Sequence, residues 1–192
     1  MKLLEAIEKR RSVREFSSRK VKWSDILEAI DAAARAPFAG SINNLKFIIV
    51  SNEKTKNEIS KQCQQNWIAT APYIVIACSD ETRLSSLYNF RGPIYSRQQS
   101  GAAIENFLLR ITDLGLSSCW VGAYADELLK QILSIPEHIN IEAVLPIGYA
   151  KSAKKTKGVN VSFEKMINWE KWGQSKKPNR FNDPSTRDHG FS

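Results

Sequence analysis

The segment "YSRQQSGAAIENFLLRITDL", residues 95–114, carries the longest uninterrupted helical pattern in the chain, and it limits the possible folds more than any other stretch. No proline interrupts it, and Gly115 follows where a left-handed C-cap belongs. From Gly101 onward, small and apolar residues lie on most of its faces. A surface helix needs a polar face, so a helix of this kind belongs deep in a domain or at a subunit interface. The remaining elements must pack around it.

Those elements can be read in order. "KLLEAIEKR" sets Leu3, Leu4 and Ile7 at helical spacing, predicting a short amphipathic helix over residues 2–10. In "SDILEAIDAAARAP" Ser24 is a candidate N-cap, Ile26, Leu27, Ile30, Ala33 and Ala34 form one face, and Pro37 is the stop. "FAGSINN" reads as a loop, "KFIIVS" as a short buried strand, "EKTKNEISKQCQQ" as a polar surface helix and "YIVIACS" as a second buried strand. Beyond the long helix come a third strand, "SSCWVGA", a helix, "DELLKQILSI", ended by Pro136, and a fourth strand, "EAVLPIGYA". A basic loop follows, then a short helix around "SFEKMINWEKW". Strands alternating with helices say α/β, and pattern alone predicts a parallel sheet. No repeat or linker divides the chain, so one domain over residues 1–173 with a polar tail over 174–192 is expected from its 192 residues.

Composition narrows the function classes. Hydrophobic residues at 42% and charged residues at 25% are ordinary for a soluble globular protein. No apolar run approaches the roughly 18 residues of a membrane span. The chain opens on a charged amphipathic segment without a secretory pattern, so the expected compartment is the cytoplasm. Cys63, Cys78 and Cys119 form no CxxC and have only His138 and His189 as possible co-ligands, which predicts buried small apolar residues and no metal site. The net charge of +8 invites a nucleic-acid partner. The cations are not interleaved with a recognisable aromatic motif, however, and no nucleic-acid partner is expected. Neither GxGxxG nor a P-loop is present.

The densest cluster is "EKRRSVREF", where Lys9, Arg10, Arg11 and Arg14 surround Ser12. A solvated helix end explains some of these residues, and a bound phosphate explains all of them. Read in order, "RRSVREF" (10–16), "APFAGSINNLKFIIV" (36–50), "GLSSCWVGAY" (115–124) and "LPIGYA" (145–150) resemble the nitroreductase family of flavoproteins, over residues 3 to 173. The resemblance implies an α+β fold of three layers, α/β/α, with a mixed, largely antiparallel sheet, in place of the parallel sheet that pattern predicts. It also implies an intertwined homodimer with FMN at the subunit interface.

By the same resemblance, Arg10, Ser12 and Arg14 contact the phosphate and the polar edge of the flavin, while Arg11 joins them or faces solvent. Guanidinium groups suit phosphate oxygens as charge-assisted, bidentate donors. Lys155 and Lys157 stand nearest to where family members carry a further arginine for the phosphate. The backbone amides of Gly122 and Ala123 match those the family places near flavin N5. At residues 38, 41 and 43 the family usually shows Ser, Asn and Gln; this chain has Phe38, Ser41 and Asn43. Asn43 keeps an amide for the flavin's pyrimidine or ribityl oxygens, Ser41 is shorter than Asn, and Phe38 packs on the flavin, lines the substrate side or belongs to the core. Residues 80–100 form either a mobile cover or a plain connection, with Tyr88, Phe90, Arg91 and Tyr95 as candidates for the substrate pocket.

The implied activity is that of an NAD(P)H-dependent flavin oxidoreductase. NADH or NADPH delivers hydride to flavin N5, and a nitroaromatic or quinone type of acceptor takes the electrons by a ping-pong mechanism. No catalytic side chain is required. A flavin-binding sensor or carrier with little turnover, and a dehalogenase-like or flavin-cleaving branch of the same fold, are the alternatives.

Overall fold

The computed structural model describes residues 1–152 and 162–178. The chain forms two compact units, Met1–Lys154 and Lys155–Ser192. In the first, six helices surround a four-stranded sheet: α1 (Leu3–Lys9), α2 (Trp23–Ala33), β1 (Leu45–Val50), α3 (Glu53–Gln62), β2 (Tyr73–Ser79), α4 (Thr82–Tyr88), α5 (Gly92–Asp113), β3 (Ser117–Ser118), α6 (Asp126–Leu133) and β4 (Asn140–Gly148). Within the second unit, Phe163–Met166 is a single 3-10 turn, shorter than the helix the sequence suggests. Among the described residues, no helix is long and apolar enough to cross a membrane.

The sheet order is β1-β2-β4-β3, and each neighbouring pair is antiparallel. This overturns the parallel sheet expected from pattern. After β1 the chain leaves along α3 and comes back through a 3-10 turn, Asn66–Thr70, that packs on α3. It therefore re-enters at the end it left, and Val50 pairs with Ile74. The parallel component among the described residues is an isolated bridge, Ser12 to Ser118.

Strand side chains alternate between two cores. Val75, Ala77, Ala143, Leu145 and Ile147 face α2 and α5, where they meet Ile26, Ala29, Ala103, Ile104 and Phe107. On the opposite face Ile74, Ile76, Cys78, Ile141 and Val144 meet Ile59, Cys63 and Leu129 of the α3 and α6 layer. A bulge opposite Ala77/Cys78 shifts the β4 register. An extra residue reverses the faces, so Ile141 and Ala143 enter different cores and Glu142 lies at the bulge.

Several local expectations are corrected. Lys22, not Ser24, is the N-cap of α2, and no side chain caps it. β1 is an edge strand whose Lys46 and Ile49 are exposed. The "SSCWVGA" strand is cut to Ser117–Ser118 plus a bridge from Val121 to Val144. α3 is not wholly a surface helix: Lys56 is buried, with Nζ donating to the Ala71 carbonyl at 2.8 Å and paired to Glu53 at 2.9 Å. Residues 80–100 are a helix, α4, a 3-10 turn (Asn89–Arg91) and the start of α5. α5 begins at Gly92 because Pro93 fits the first turn of a helix. Its buried residues Ser96, Gln99, Ser100, Ala103, Ile104, Phe107, Leu108 and Ile111 form one stripe, while Gly101, Ala102 and Leu109 are only half-buried. Gly115 does take the left-handed conformation, at φ +76°. The three cysteines are free and buried.

Candidate functional site

The first cluster forms where α1 ends and the chain runs along the edge of the sheet. The Val13 N–H donates to the Ser118 carbonyl at 3.0 Å, Ser12 bridges Ser118, and Phe16 bridges Ala150. Lys151 and Ser17 tie the exit of β4 to the same segment, through the Glu15 carbonyl at 2.9 Å and the Tyr149 carbonyl at 2.8 Å. The segment that carries the arginines is therefore held against both "SSC" and "GYA". Arg10 pairs with Glu105 of α5 at 3.3 Å, and Arg11 Nη1 donates to the Arg10 carbonyl at 2.8 Å. Arg14 is exposed and has no carboxylate partner among the described residues. Arg14, Ser12 and Arg10 all act on the Cys119 thiol; burial nevertheless raises its pKa, because desolvation disfavours the thiolate.

Two features of this place fit a bound polar ligand. The Ser118 hydroxyl is buried and lacks a hydrogen-bond partner among the described residues, a costly state for a polar group. Just beyond it Trp120, Gly122 and Ala123 are exposed, and the amides of Gly122 and Ala123 find no acceptor among the described residues. A Cβ built on Gly122 meets nothing within 4 Å, so the space beside it is open. The cations of the Arg10–Arg14 segment and free amides beside the open space at Gly122 are groups that can hold an anion and the polar edge of a planar group. Nothing in the sequence marked Ser118, since serine in a strand is unremarkable until its partners are known.

The second cluster is the Phe38–Asn43 loop. Residues 39–41 make a 3-10 turn in which Gly40 and Ser41 both have φ +57°. For Ser41 that conformation costs on the order of 1–2 kcal/mol. Glycine suits position 40 on two counts: its φ is left-handed, and a Cβ would lie 2.6 Å from the Tyr88 hydroxyl, which would have to shift. Phe38 is partly buried and packs against the core of the α2 and α5 layer. The Asn43 side-chain carbonyl accepts from Leu45 N–H at 2.9 Å, and the residue is exposed. Tyr88 and Tyr95 meet edge to face at 5.2 Å. A cavity of about 220 Å³ lies between the loop and α5, lined by Pro37, Ala39, Tyr95, Gln98, Gln99 and Ala102. Phe90 and Arg91 are exposed and do not line it; the Arg91 guanidinium lies 5.7 Å from the Phe90 ring centre.

The structure thus brings Arg10, Arg11, Ser12 and Arg14 to the strand that leads into Gly122 and Ala123, and joins Phe38 to Asn43 with Tyr88 and Tyr95 elsewhere. Lys155 and Lys157 lie outside the described residues. Buried polar residues near the second cluster, above all Asn44, Ser96 and Gln99, go unread in the sequence, where α5 shows small and apolar residues on most faces only from Gly101 onward. Their signal was present as polar residues at helical spacing, Ser96, Gln99 and Ser100, on the buried stripe.

Residues 7–69 and 57–149 match the model of the nitroreductase family. The chain belongs to that family. It is 31% identical over 175 residues to an Archaeoglobus fulgidus protein named "Putative NADH dehydrogenase/NAD(P)H nitroreductase", a match that covers 88% of this chain and 98% of the relative. It is also similar to the iodotyrosine deiodinase of Thermotoga neapolitana, 23% identical over 181 residues, covering 80% of this chain and 92% of that one. Among solved structures, an FMN-dependent nitroreductase from Clostridium difficile R20291 superposes with a TM-score of 0.74 at 21% identity, over 88% of this chain and 99% of that chain. This chain and that structure therefore share the nitroreductase fold, which here is α+β, with helices on both faces of an antiparallel sheet. The chain is an oxidoreductase of this family.

Proposed function

We infer that the protein is an FMN-dependent oxidoreductase that uses NADH or NADPH to reduce a small organic acceptor of the nitroaromatic or quinone type. The arrangement at Arg10, Ser12, Arg14 and Ser118 beside the open space at Gly122 carries this reading. FMN bound there would supply the redox chemistry between NADH or NADPH and the acceptor, in ping-pong order. The chain's part is to bind and orient. Arg10 and Arg14 offer charged donors to the phosphate, with Ser12 and the Ser118 hydroxyl as further donors. The amides of Gly122 and Ala123 would be the donors to the flavin's reacting edge, where a fixed N–H stabilises developing negative charge without reorganisation.

A second copy of the chain would complete the site by bringing Ser41 and Asn43 to the open side. The exposed Leu3, Leu4 and Ile7 of α1, with Trp23 and Leu27 of α2, offer an apolar surface for it. The names of the Archaeoglobus and Clostridium relatives support the nicotinamide and flavin parts of the reading.

The visible spectrum of the purified protein, before and after anaerobic NADH or NADPH, tests it. The expected result is a flavin spectrum that bleaches. A protein that is colourless and takes up no added FMN would overturn the reading. The deiodinase relative favours one other possibility, reductive removal of iodide from an iodotyrosine. Iodide release from that compound by reduced protein, with no turnover of quinones, would select it.

A further inference from the structure

We propose that Gln99 is a positioning residue for the candidate site: its buried amide, at the end of a one-way hydrogen-bond chain from Glu142, clamps the Phe38–Asn43 loop in the form that presents Ser41 and Asn43. The proposal rests on the flavin reading for what the loop contacts, and on this structure alone for how the loop is held.

The amide has only one possible orientation. The Ala39 N–H, a donor by nature, donates to Gln99 Oε1 at 3.1 Å, and the Ile42 carbonyl, an acceptor by nature, receives from Gln99 Nε2 at 3.1 Å. These two backbone groups bracket Gly40 and Ser41, the paired left-handed residues. One side chain thus closes the turn from both ends. The second Nε2 hydrogen goes to Asn44 Oδ1, which fixes Asn44 in turn.

From there every bond runs in the same sense. Asn44 Nδ2 donates to Ser96 Oγ at 2.7 Å, Ser96 Oγ to Ser79 Oγ at 3.4 Å, and Ser79 Oγ to Glu142 Oε1 at 2.5 Å. Glu142 sits at the β4 bulge and is held by Arg97 at 2.8 Å. A carboxylate can only accept, so it sets the direction of the whole chain, and aligned bonds polarise one another. An apolar residue at Gln99 would suit the buried stripe of α5 better. It would also orphan the Ala39 N–H and the Ile42 carbonyl and leave a strained turn without its clamp.

The test uses full-length Gln99→Met and Gln99→Glu, each read by amide hydrogen exchange of residues 38–43 without FMN and by FMN titration. Near pH 8 the glutamate is a carboxylate that can accept from Ala39 but cannot donate to Ile42 or Asn44. Protonated, it regains one donor, and burial raises the pH at which that happens. The ionisable groups around it are Tyr95 at the cavity and, at the far end of the chain, Glu142 and Arg97. Near pH 8 both variants are expected to exchange on the order of tenfold faster over 38–43 and to bind FMN about tenfold more weakly, the effect of roughly one lost hydrogen bond. Towards about pH 5.5, Gln99→Glu recovers relative to wild type and Gln99→Met does not.

Unchanged exchange and FMN affinity in either folded variant would overturn the proposal. If Gln99→Met fails to fold, a flat pH profile in Gln99→Glu overturns it equally. Wild-type protein that takes up no FMN would remove the flavin reading, and the exchange data would then decide the clamp on their own.

Discussion

Arg10 and Arg14 differ in surroundings although both belong to one short basic run. Arg10 is half-buried and held by Glu105, whereas Arg14 reaches Cys119 and has no acid beside it among the described residues. If both hold the FMN phosphate, Arg10→Ala with Arg14→Ala weakens FMN binding by several kcal/mol, on the order of 1.5–3 for each charged hydrogen bond. An isothermal titration with FMN checks this, and unchanged affinity would return the cluster to a solvated helix end. Gly122 gives a complementary test. Its Cβ position is open and its φ lies outside the left-handed range, so Gly122→Val is expected to leave thermal stability within about 0.5 kcal/mol of wild type. The same substitution fills the space beside the free amides, and FMN uptake is expected to be lost. A variant that keeps both its stability and its flavin would place the cofactor elsewhere.

At the scale of elements, α3 and α5 show how polar groups and packing divide the work. Lys56 ties α3 to the Asn66–Thr70 turn through the Ala71 carbonyl. Lys56→Met keeps most of the volume and leaves that carbonyl without its donor, an expected cost of about 1–3 kcal/mol in urea unfolding. On α5, Phe107 is fully buried and stacks on Phe47 of the edge strand at 6.0 Å and 13°. Phe107→Ala removes this contact and opens a cavity between α5 and the sheet. About 3–5 kcal/mol of stability is expected to be lost, read from the denaturation midpoint at unchanged slope. The bulge in β4 works differently. It costs one ladder position and turns Glu142 towards Ser79 and Arg97, giving the buried polar chain its acceptor.

The first unit is built as two cores on one sheet, and its cysteines sit together in the core of the α3 and α6 layer. Burial pushes the Cys63 and Cys78 thiols up to about 11 from 9.0, because a thiolate there would be desolvated. The folded state therefore holds these protons more tightly than the unfolded chain. Their contribution is complete below about pH 9 and fades as the pH rises towards 11. Urea midpoints across that range are expected to fall, and to fall less steeply in Cys78→Ala. Light scattering addresses assembly: the exposed apolar residues of α1 and α2 and the half-buried face of α5 suit a second copy. A dimer is expected. A monomer that still held FMN would show that one chain suffices for the site.

Periodicity in the sequence determined where the helices and most strands lie, since burial on one face imposes spacings of 3.6 or 2 on the residues themselves. It located α2, α5 and β2 closely, and the arginine cluster was visible because charge of one sign packed into a few positions is rarely needed by a fold. Strand direction was not legible. Whether the chain returns to the end of the sheet it left depends on how α3 packs on the turn after it, a contact between residues that no local pattern links. The bulge at Glu142 was hidden for the same reason, because register exists only between two strands. So too with Ser118 and Gln99: a hydroxyl becomes an orphan, and an amide a clamp, only when the tertiary structure chooses their neighbours.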